Sequence, residues 1–305
     1  MDLSKRGPLT AVEKTLISQT LQIFTLDGLG AGLSDKSGRM MFHGGTSIST
    51  THGSPRWSED LDFVVSPGMA GDLSRLRPEI EKIAARRIEE ITPGARFKLV
   101  DKGDAKGKVR VDDPGTVMRW VGRWEHPMRV GVVKIKNEFY IAEPGIVREY
   151  QTRDATPQAI GISCYNNIPC ATLETIWSDK IMAMSARPVM KWRDVFDVGY
   201  IMDKLPEVAD DTLFERMGVA ARSYRSSTER LLENLDRQEL VDLADHYDAF
   251  EADMRKWLPS FDFEEHFRDG RLKAYHGSCV MQVERAKEIL ALRLKGPGSD
   301  MSCGF

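Results

Sequence analysis

Phe42-His43-Gly44-Gly45-Thr46-Ser47, and after it Ser58-Glu59-Asp60-Leu61-Asp62-Phe63, decide how this chain folds. Residues 40–43 are apolar enough for a short strand that runs directly into the two glycines, and residues 46–51 then open a helix. Residues 61–65 form a second strand, closed by Ser66-Pro67-Gly68. Alternate side chains of a strand share a face, so Asp60 and Asp62 point the same way while Leu61 and Phe63 point into the core. Two carboxylates at that spacing suit a hard divalent cation, Mg²⁺ or Mn²⁺. Gly44 and Gly45 have no side chain, so the backbone there can approach a triphosphate closely. Thr46 and Ser47 offer amides and hydroxyls near a helix start, where anions are favoured. Taken singly, Gly-Gly is an ordinary turn and Asp-Leu-Asp an ordinary solvated strand edge. In this order, with a strand on either side, they read as a phosphate- and metal-handling unit.

Outward from this centre, Thr10-Ala11-Val12-Glu13 has the form of a capping box, and Leu16, Ile17, Leu21, Ile23 and Phe24 give the stripe of an amphipathic helix. That helix is expected to end near Leu26, stopped by Gly28, Gly30 and Gly32. Residues 74–91 read as a helix, and residues 96–100, 117–124 and 129–140 as strands. Beyond about residue 170, helical periodicity dominates: 173–185, 194–205, 211–222, 228–257 with a break, and 280–294. The expected organisation is an α+β class chain: an α/β-like core over 1–165, a mostly helical lobe over 166–295, and a disordered Gly- and Ser-rich tail over 296–305.

Bulk properties narrow the function classes. The chain has 305 residues, 41% hydrophobic and 29% charged, with a formal net charge of -3, so any attraction to nucleic acid must be local. No apolar run approaches the roughly 18 residues of a membrane span, and the polar N-terminus does not begin a secretion signal. Cys164, Cys170, Cys279 and Cys303 form no CxxC pair. Free thiols are expected, which fits a cytoplasmic protein without zinc.

The stretch 42–65 resembles the first motif of the DNA polymerase beta-like nucleotidyltransferase superfamily, and more narrowly the AbiEii / MenT-like toxins. Those show Gly-Gly-Thr-Ser/Ala, then an Arg, then Ser-Glu-Asp-Leu/Ile-Asp-Phe; here the Arg is Arg56 and the block begins at Ser58. The run Asp179-Lys180-Ile181-Met182-Ala183-Met184 is similar to the family's Lys-bearing helix, and Arg193-Asp194-Val195-Phe196-Asp197 to its Arg-Asp-x-x-Asp motif. The resemblance implies a polymerase-beta-like core with an active cleft beside a helical lobe. It implies transfer of a nucleotide from NTP to an acceptor hydroxyl, such as a tRNA 3′ end, by the toxin of a toxin–antitoxin or phage-defence system with a cognate antitoxin. It implies Asp60 and Asp62 as metal ligands and catalytic acids. Gly44, Gly45, Thr46, Ser47, Arg56, Ser58 and Lys180 would bind nucleotide, and Lys180 with Asp194 and Asp197 would be needed for catalysis. Asp194 and Asp197 are three apart on a helix and share a face; which of them is essential stays open, and so does a plain salt bridge from Lys180 to either. Small-molecule or protein nucleotidyl transfer, or a non-catalytic nucleotide- or RNA-binding module, are the alternative functions.

One position departs from the family pattern. The later strand that often reads Lys-Ile-Glu-Ile-Asn is Lys134-Ile135-Lys136-Asn137-Glu138 here, with lysine where the third acid is expected. Glu138 lies on the same face one pleat pair away, about 7 Å. Either Glu138 supplies the third metal ligand or Lys136 stands there as a cation. A basic stripe (Arg96, Lys98, Lys102, Lys106, Lys108, Arg110, then Arg119 and Arg123 interleaved with Trp120 and Trp124) suits an RNA backbone and stacked bases, or a solvated surface. His43 is expected to face the core or pack under the loop, and His52 to lie on a surface loop.

Overall fold

The computed structural model describes residues 7–33, 35–103, 113–205 and 207–295. After β1 (Gly7–Pro8) come α1 (Ala11–Gly32), β2 (Met40–His43), α2 (Gly44–His52), β3 (Asp60–Val65), α3 (Pro67–Ile91) and β4 (Arg96–Asp101). Then follow β5 (Val117–Glu125), β6 (Arg129–Val130), β7 (Val133–Ile141), α4 (Ile146–Glu149), β8 (Thr152–Ala155), β9 (Gln158–Ala159), β10 (Ile162–Ser163) and β11 (Ile168–Ala171). These elements form one compact unit. A second unit is helical: α5 (Leu173–Ala186), α6 (Trp192–Lys204), α7 (Asp210–Ser223), α8 (Thr228–Leu235), α9 (Gln238–Val241), α10 (Tyr247–Trp257), α11 (Ser260–Arg268) and α12 (Arg271–Lys295). Pro55–Trp57, between α2 and β3 in the chain, belong to this helical unit. The Lys106, Lys108 and Arg110 part of the basic stripe, Cys303 and the 296–305 tail lie outside the described residues.

The first unit is built on a mixed seven-stranded sheet in the order β4-β5-β7-β3-β2-β11-β8. β3 runs parallel to β7 and antiparallel to β2, and β11 runs parallel to β2. Residue alternation decides its two faces. Phe42, Phe63 and Phe139 are register partners on β2, β3 and β7, and their rings follow one another at 5.1 and 4.9 Å, with Trp120 of β5 4.7 Å beyond. This buried aromatic row, with Leu61, Ile135 and Trp124, lies in the same core as Leu21, Phe24 and Leu26 of α1 and Leu73, Ile80 and Ile88 of α3. The odd-numbered charged positions of β5, Arg119 and Arg123, and Asp60 and Asp62 of β3, are thereby forced onto the opposite face.

Local signals were realised unequally. The capping box holds: the Glu13 amide donates to Thr10 Oγ1 at 3.2 Å, and the Thr10 amide donates to Glu13 Oε2 at 2.9 Å. The helix does not stop near Leu26; it continues through Gly32. The glycines are packing residues, because a Cβ on Gly28 would stand 2.8 Å from the Ile80 carbonyl oxygen and one on Gly30 2.7 Å from Asn166 Cβ. Burial against α3 outweighs the propensity cost of glycine inside a helix. The expected strand 129–140 is divided into β6 and β7, and the expected helix 228–257 into shorter pieces. One break falls at Arg237, whose backbone is extended and whose guanidinium donates to the Ser185 and Arg187 carbonyls at the end of α5.

Candidate functional site

The Gly-Gly turn, β3 and β7 bring together the residues singled out in the first unit. β2 ends at His43, and α2 begins at Gly44, whose φ of 78° is left-handed. A Cβ there would meet Asp62 Oδ2 at 2.5 Å, so the carboxylate of Asp62 lies over the bare Cα and only glycine fits. Asp62 is the register partner of His43 on one side and Glu138 on the other. Asp60 is the register partner of Lys136. Asp60 and Asp62 are each partly exposed, while Leu61 and Phe63 between and beside them are buried, as alternation requires.

The hydroxyls expected on phosphate are spent elsewhere. Thr46 and Ser47 are buried. Thr46 Oγ1 donates to the Asp60 carbonyl at 2.5 Å, and Ser47 Oγ to the Phe42 carbonyl at 3.4 Å. They tie α2 to the two strands it joins. What remains for an anion at this turn is the set of first-turn amides of α2, which a helix leaves without intrahelical partners. The Ser58 carbonyl accepts from Gln22 Nε2 at 2.9 Å, fixing the approach to β3. His43 is buried, and His52 closes α2 with Nε2 3.3 Å from the Ala171 carbonyl and Nδ1 3.2 Å from Arg153.

Glu138, one of the two residues considered for the third acid position, pairs with Arg119, whose Nε stands 2.9 Å from Oε1. Lys136 Nζ stands 3.3 Å from Asp60 Oδ1. That oxygen is buried and makes no hydrogen bond, so the contact is one of charge without hydrogen-bond alignment. Among the described residues no group of three or more His, Cys, Asp or Glu gathers at metal-binding geometry. What these residues offer a divalent cation is two carboxylates, Asp60 and Asp62, the buried Asp60 Oδ1 being without a hydrogen bond. The expected aromatic stacking surface is corrected: Trp120 and Trp124 are buried in the core, on the face opposite Arg119 and Arg123.

In the helical unit the second set of residues forms one buried charge network. Arg56 grips Asp197 with two parallel bonds, Nε to Oδ1 at 2.7 Å and Nη2 to Oδ2 at 2.8 Å, and its Nη1 donates to the Trp57 carbonyl. Arg56 is only 2% exposed, and its guanidinium is engaged in this clamp on its own chain. Lys180 Nζ lies 2.7 Å from both Asp194 Oδ1 and Asp197 Oδ2, and Arg187 bonds the other oxygen of Asp194. Burial alone would neutralise both Asp194 and Lys180. For Asp194 the Lys180 and Arg187 charges outweigh that cost and hold its carboxyl below the usual carboxylate range. For Lys180 the Asp194 and Asp197 charges do the same and hold its ammonium above the usual lysine value. The resemblance singles out Arg56, Lys180, Asp194 and Asp197 one by one; neither the Arg56–Asp197 clamp nor the Arg187–Asp194 bond is legible in the spacing, because long-range packing sets both.

A family model described as "Nucleotidyl transferase AbiEii toxin, Type IV TA system" matches residues 29–275. Among solved structures, MenT4, a nucleotidyltransferase toxin of Mycobacterium tuberculosis H37Rv, is similar with a TM-score of 0.51 at 15% identity, over 91% of this chain and 94% of that one. JHP933 from Helicobacter pylori is similar with a TM-score of 0.46 at 16% identity, over 93% of this chain and 96% of that one. No curated protein matches. Among the described residues no helix is long and apolar enough to cross a membrane.

Proposed function

We propose, because the chain belongs to the AbiEii nucleotidyl transferase toxin family, that this nucleotidyltransferase toxin moves a nucleoside monophosphate from an NTP to an acceptor hydroxyl with a divalent cation held by Asp60 and Asp62. The observation that carries this reading is the carboxylate pair on one face of β3, with Asp62 packed over the bare Cα of Gly44 at the start of a helix. In the reaction an acceptor hydroxyl gives up its proton to water as its oxygen attacks the α-phosphorus, the bond to the bridging oxygen breaks, and pyrophosphate leaves. Bound Mg²⁺ or Mn²⁺ would offset the negative charge on the phosphate oxygens. The first-turn amides of α2, from Gly44, Gly45 and Thr46, are aimed for phosphate and reinforced by the helix dipole. Thr46 and Ser47 hold that turn rigid by bonding backbone on β3 and β2. Lys180, Asp194 and Asp197 are proposed to be required as well, Lys180 as a cation whose charge the two aspartates secure.

The proposed acceptor is RNA, such as a tRNA 3′ end. Lys98, Arg123 and Lys134 are register partners across β4, β5 and β7, and Lys136 follows on the same face, beside Asp60. A row of cations leading to the carboxylate pair suits a phosphate backbone, in a chain whose net charge is otherwise slightly negative. The type IV toxin–antitoxin description of the family supports a cognate antitoxin.

The test is incubation of the chain with each radiolabelled NTP and total tRNA in Mg²⁺. Label in RNA that disappears with Asp60→Asn and Asp62→Asn is the expected result. Label in a polypeptide would redirect the reading to protein modification, and no label in any fraction to a non-catalytic nucleotide-binding module.

A further inference from the structure

Lys136 and Asp60 are register partners on parallel strands, and the Lys136 side chain is 60% exposed against 31% for Asp60. The ammonium thus reaches the carboxylate from the solvent side and is not part of the core. Its target, Asp60 Oδ1, is a buried oxygen without a hydrogen-bond donor, the atom of the pair with the most to gain from a cation. The neighbouring acid cannot change this balance, because Glu138 is occupied by Arg119 at 2.9 Å. Lys136 and Arg119 each offset one carboxylate of this part of the sheet, Asp60 and Glu138, so less negative charge is left to hold a second divalent ion than bare carboxylates would offer.

We infer that Lys136 is the standing counter-ion of Asp60: a positioning residue whose ammonium takes the place of a second divalent cation, so that the carboxylate pair binds one metal ion and binds it in competition with the lysine. The inference rests on the reading of Asp60 and Asp62 as metal ligands. It follows that the metal-free site carries its own cation, and that an arriving metal must displace it from Asp60. The displaced ammonium then stands on the same sheet face as an incoming polyphosphate, free to pair with it.

The experiment is Mn²⁺ binding to the full, nucleotide-free chain, counted by the loss of the free-ion paramagnetic resonance signal. The wild-type chain should bind one Mn²⁺. Lys136→Met should bind one Mn²⁺ about tenfold more tightly, since a competing charge a few ångströms away is removed in a partly solvated setting. Lys136→Arg, which keeps the charge, should stay near wild type. Lys136→Glu should take up a second Mn²⁺. The exposed side chain can be replaced without disturbing the core, and a thermal melt of each variant verifies this. Two Mn²⁺ in the wild-type chain, or a Lys136→Met affinity no tighter than wild type, would overturn the inference. Failure of the underlying reading gives a different signature: Mn²⁺ binding unchanged in Asp60→Asn and Asp62→Asn.

Discussion

At the scale of single residues, the site depends on atoms that are missing as much as on those present. Gly44→Ala would force a methyl group to within 2.5 Å of Asp62 Oδ2 on a backbone with φ of 78°. The left-handed conformation alone disfavours any L side chain by about 1 kcal/mol. The expected outcome is a modest fall in melting temperature with a far larger fall in nucleotidyl transfer, because the Asp62 carboxylate must move; kcat and Tm measured side by side check it. Asp60→Asn and Asp62→Asn change charge but little volume, so each should keep the fold by circular dichroism and lose transfer by at least about a hundredfold, the scale of removing one electrostatic contributor. Transfer near the wild-type rate in both variants would end the metal-site proposal.

At the scale of elements, the strands around the carboxylate pair were legible because period-two alternation is strict: Leu61 and Phe63 inside, Asp60 and Asp62 outside, with the same logic carrying to Lys136 and Glu138. Register was not legible. Nothing in the spacing of Lys134-Ile135-Lys136-Asn137-Glu138 tells which residue stands opposite Asp60, since that depends on long-range pairing, and only the pairing shows Glu138 beside Asp62 and held by Arg119. The α1 glycines misled for a related reason: local propensity reads them as a stop, whereas close contact with Ile80 of α3 and with Asn166 makes them necessary inside a helix. Gly28→Ala should therefore destabilise the sheet-bearing unit by roughly 1–3 kcal/mol, the usual range for overpacking, despite alanine's better helix propensity. Urea denaturation would show it, and a stabilised variant would refute the packing account. The helical unit has a parallel contact, where a Cβ on Gly199 of α6 would lie 2.4 Å from Tyr275 Cβ of α12.

At the scale of the whole molecule, the buried charges of the helical unit link stability to pH. Asp194 has a folded pKa below its unfolded value, so its contribution is present above the unfolded range of about 4 and is lost as pH falls through the folded value. Lys180 has a folded pKa above its unfolded value, so its contribution is present below about 10.4 and is lost as pH rises through the folded value. The stability gap between the wild-type chain and Asp194→Asn should thus be wide at neutral pH and narrow below about pH 4, measured by chemical denaturation across that range. Arg56→Met leaves Asp197 without its bidentate partner in a buried site and should cost roughly 3–5 kcal/mol. In a living bacterium, expression of the wild-type chain is expected to slow growth and Asp62→Asn is not; equal growth curves would argue against toxicity. The clamp on Asp197 also bears on how such a gene can be cut and joined. Arg56 is encoded ahead of β3, yet its side chain completes a group whose other members are encoded more than a hundred residues later. A fragment starting at Thr172 would be translated without its own guanidinium, and a fragment ending at Ala171 would carry that guanidinium with no carboxylate to receive it. The two units are therefore not interchangeable cassettes: a crossover between homologous genes anywhere from Arg56 to Asp197 inherits the two halves of one ion pair from different parents, and it survives only where both parents kept the pair.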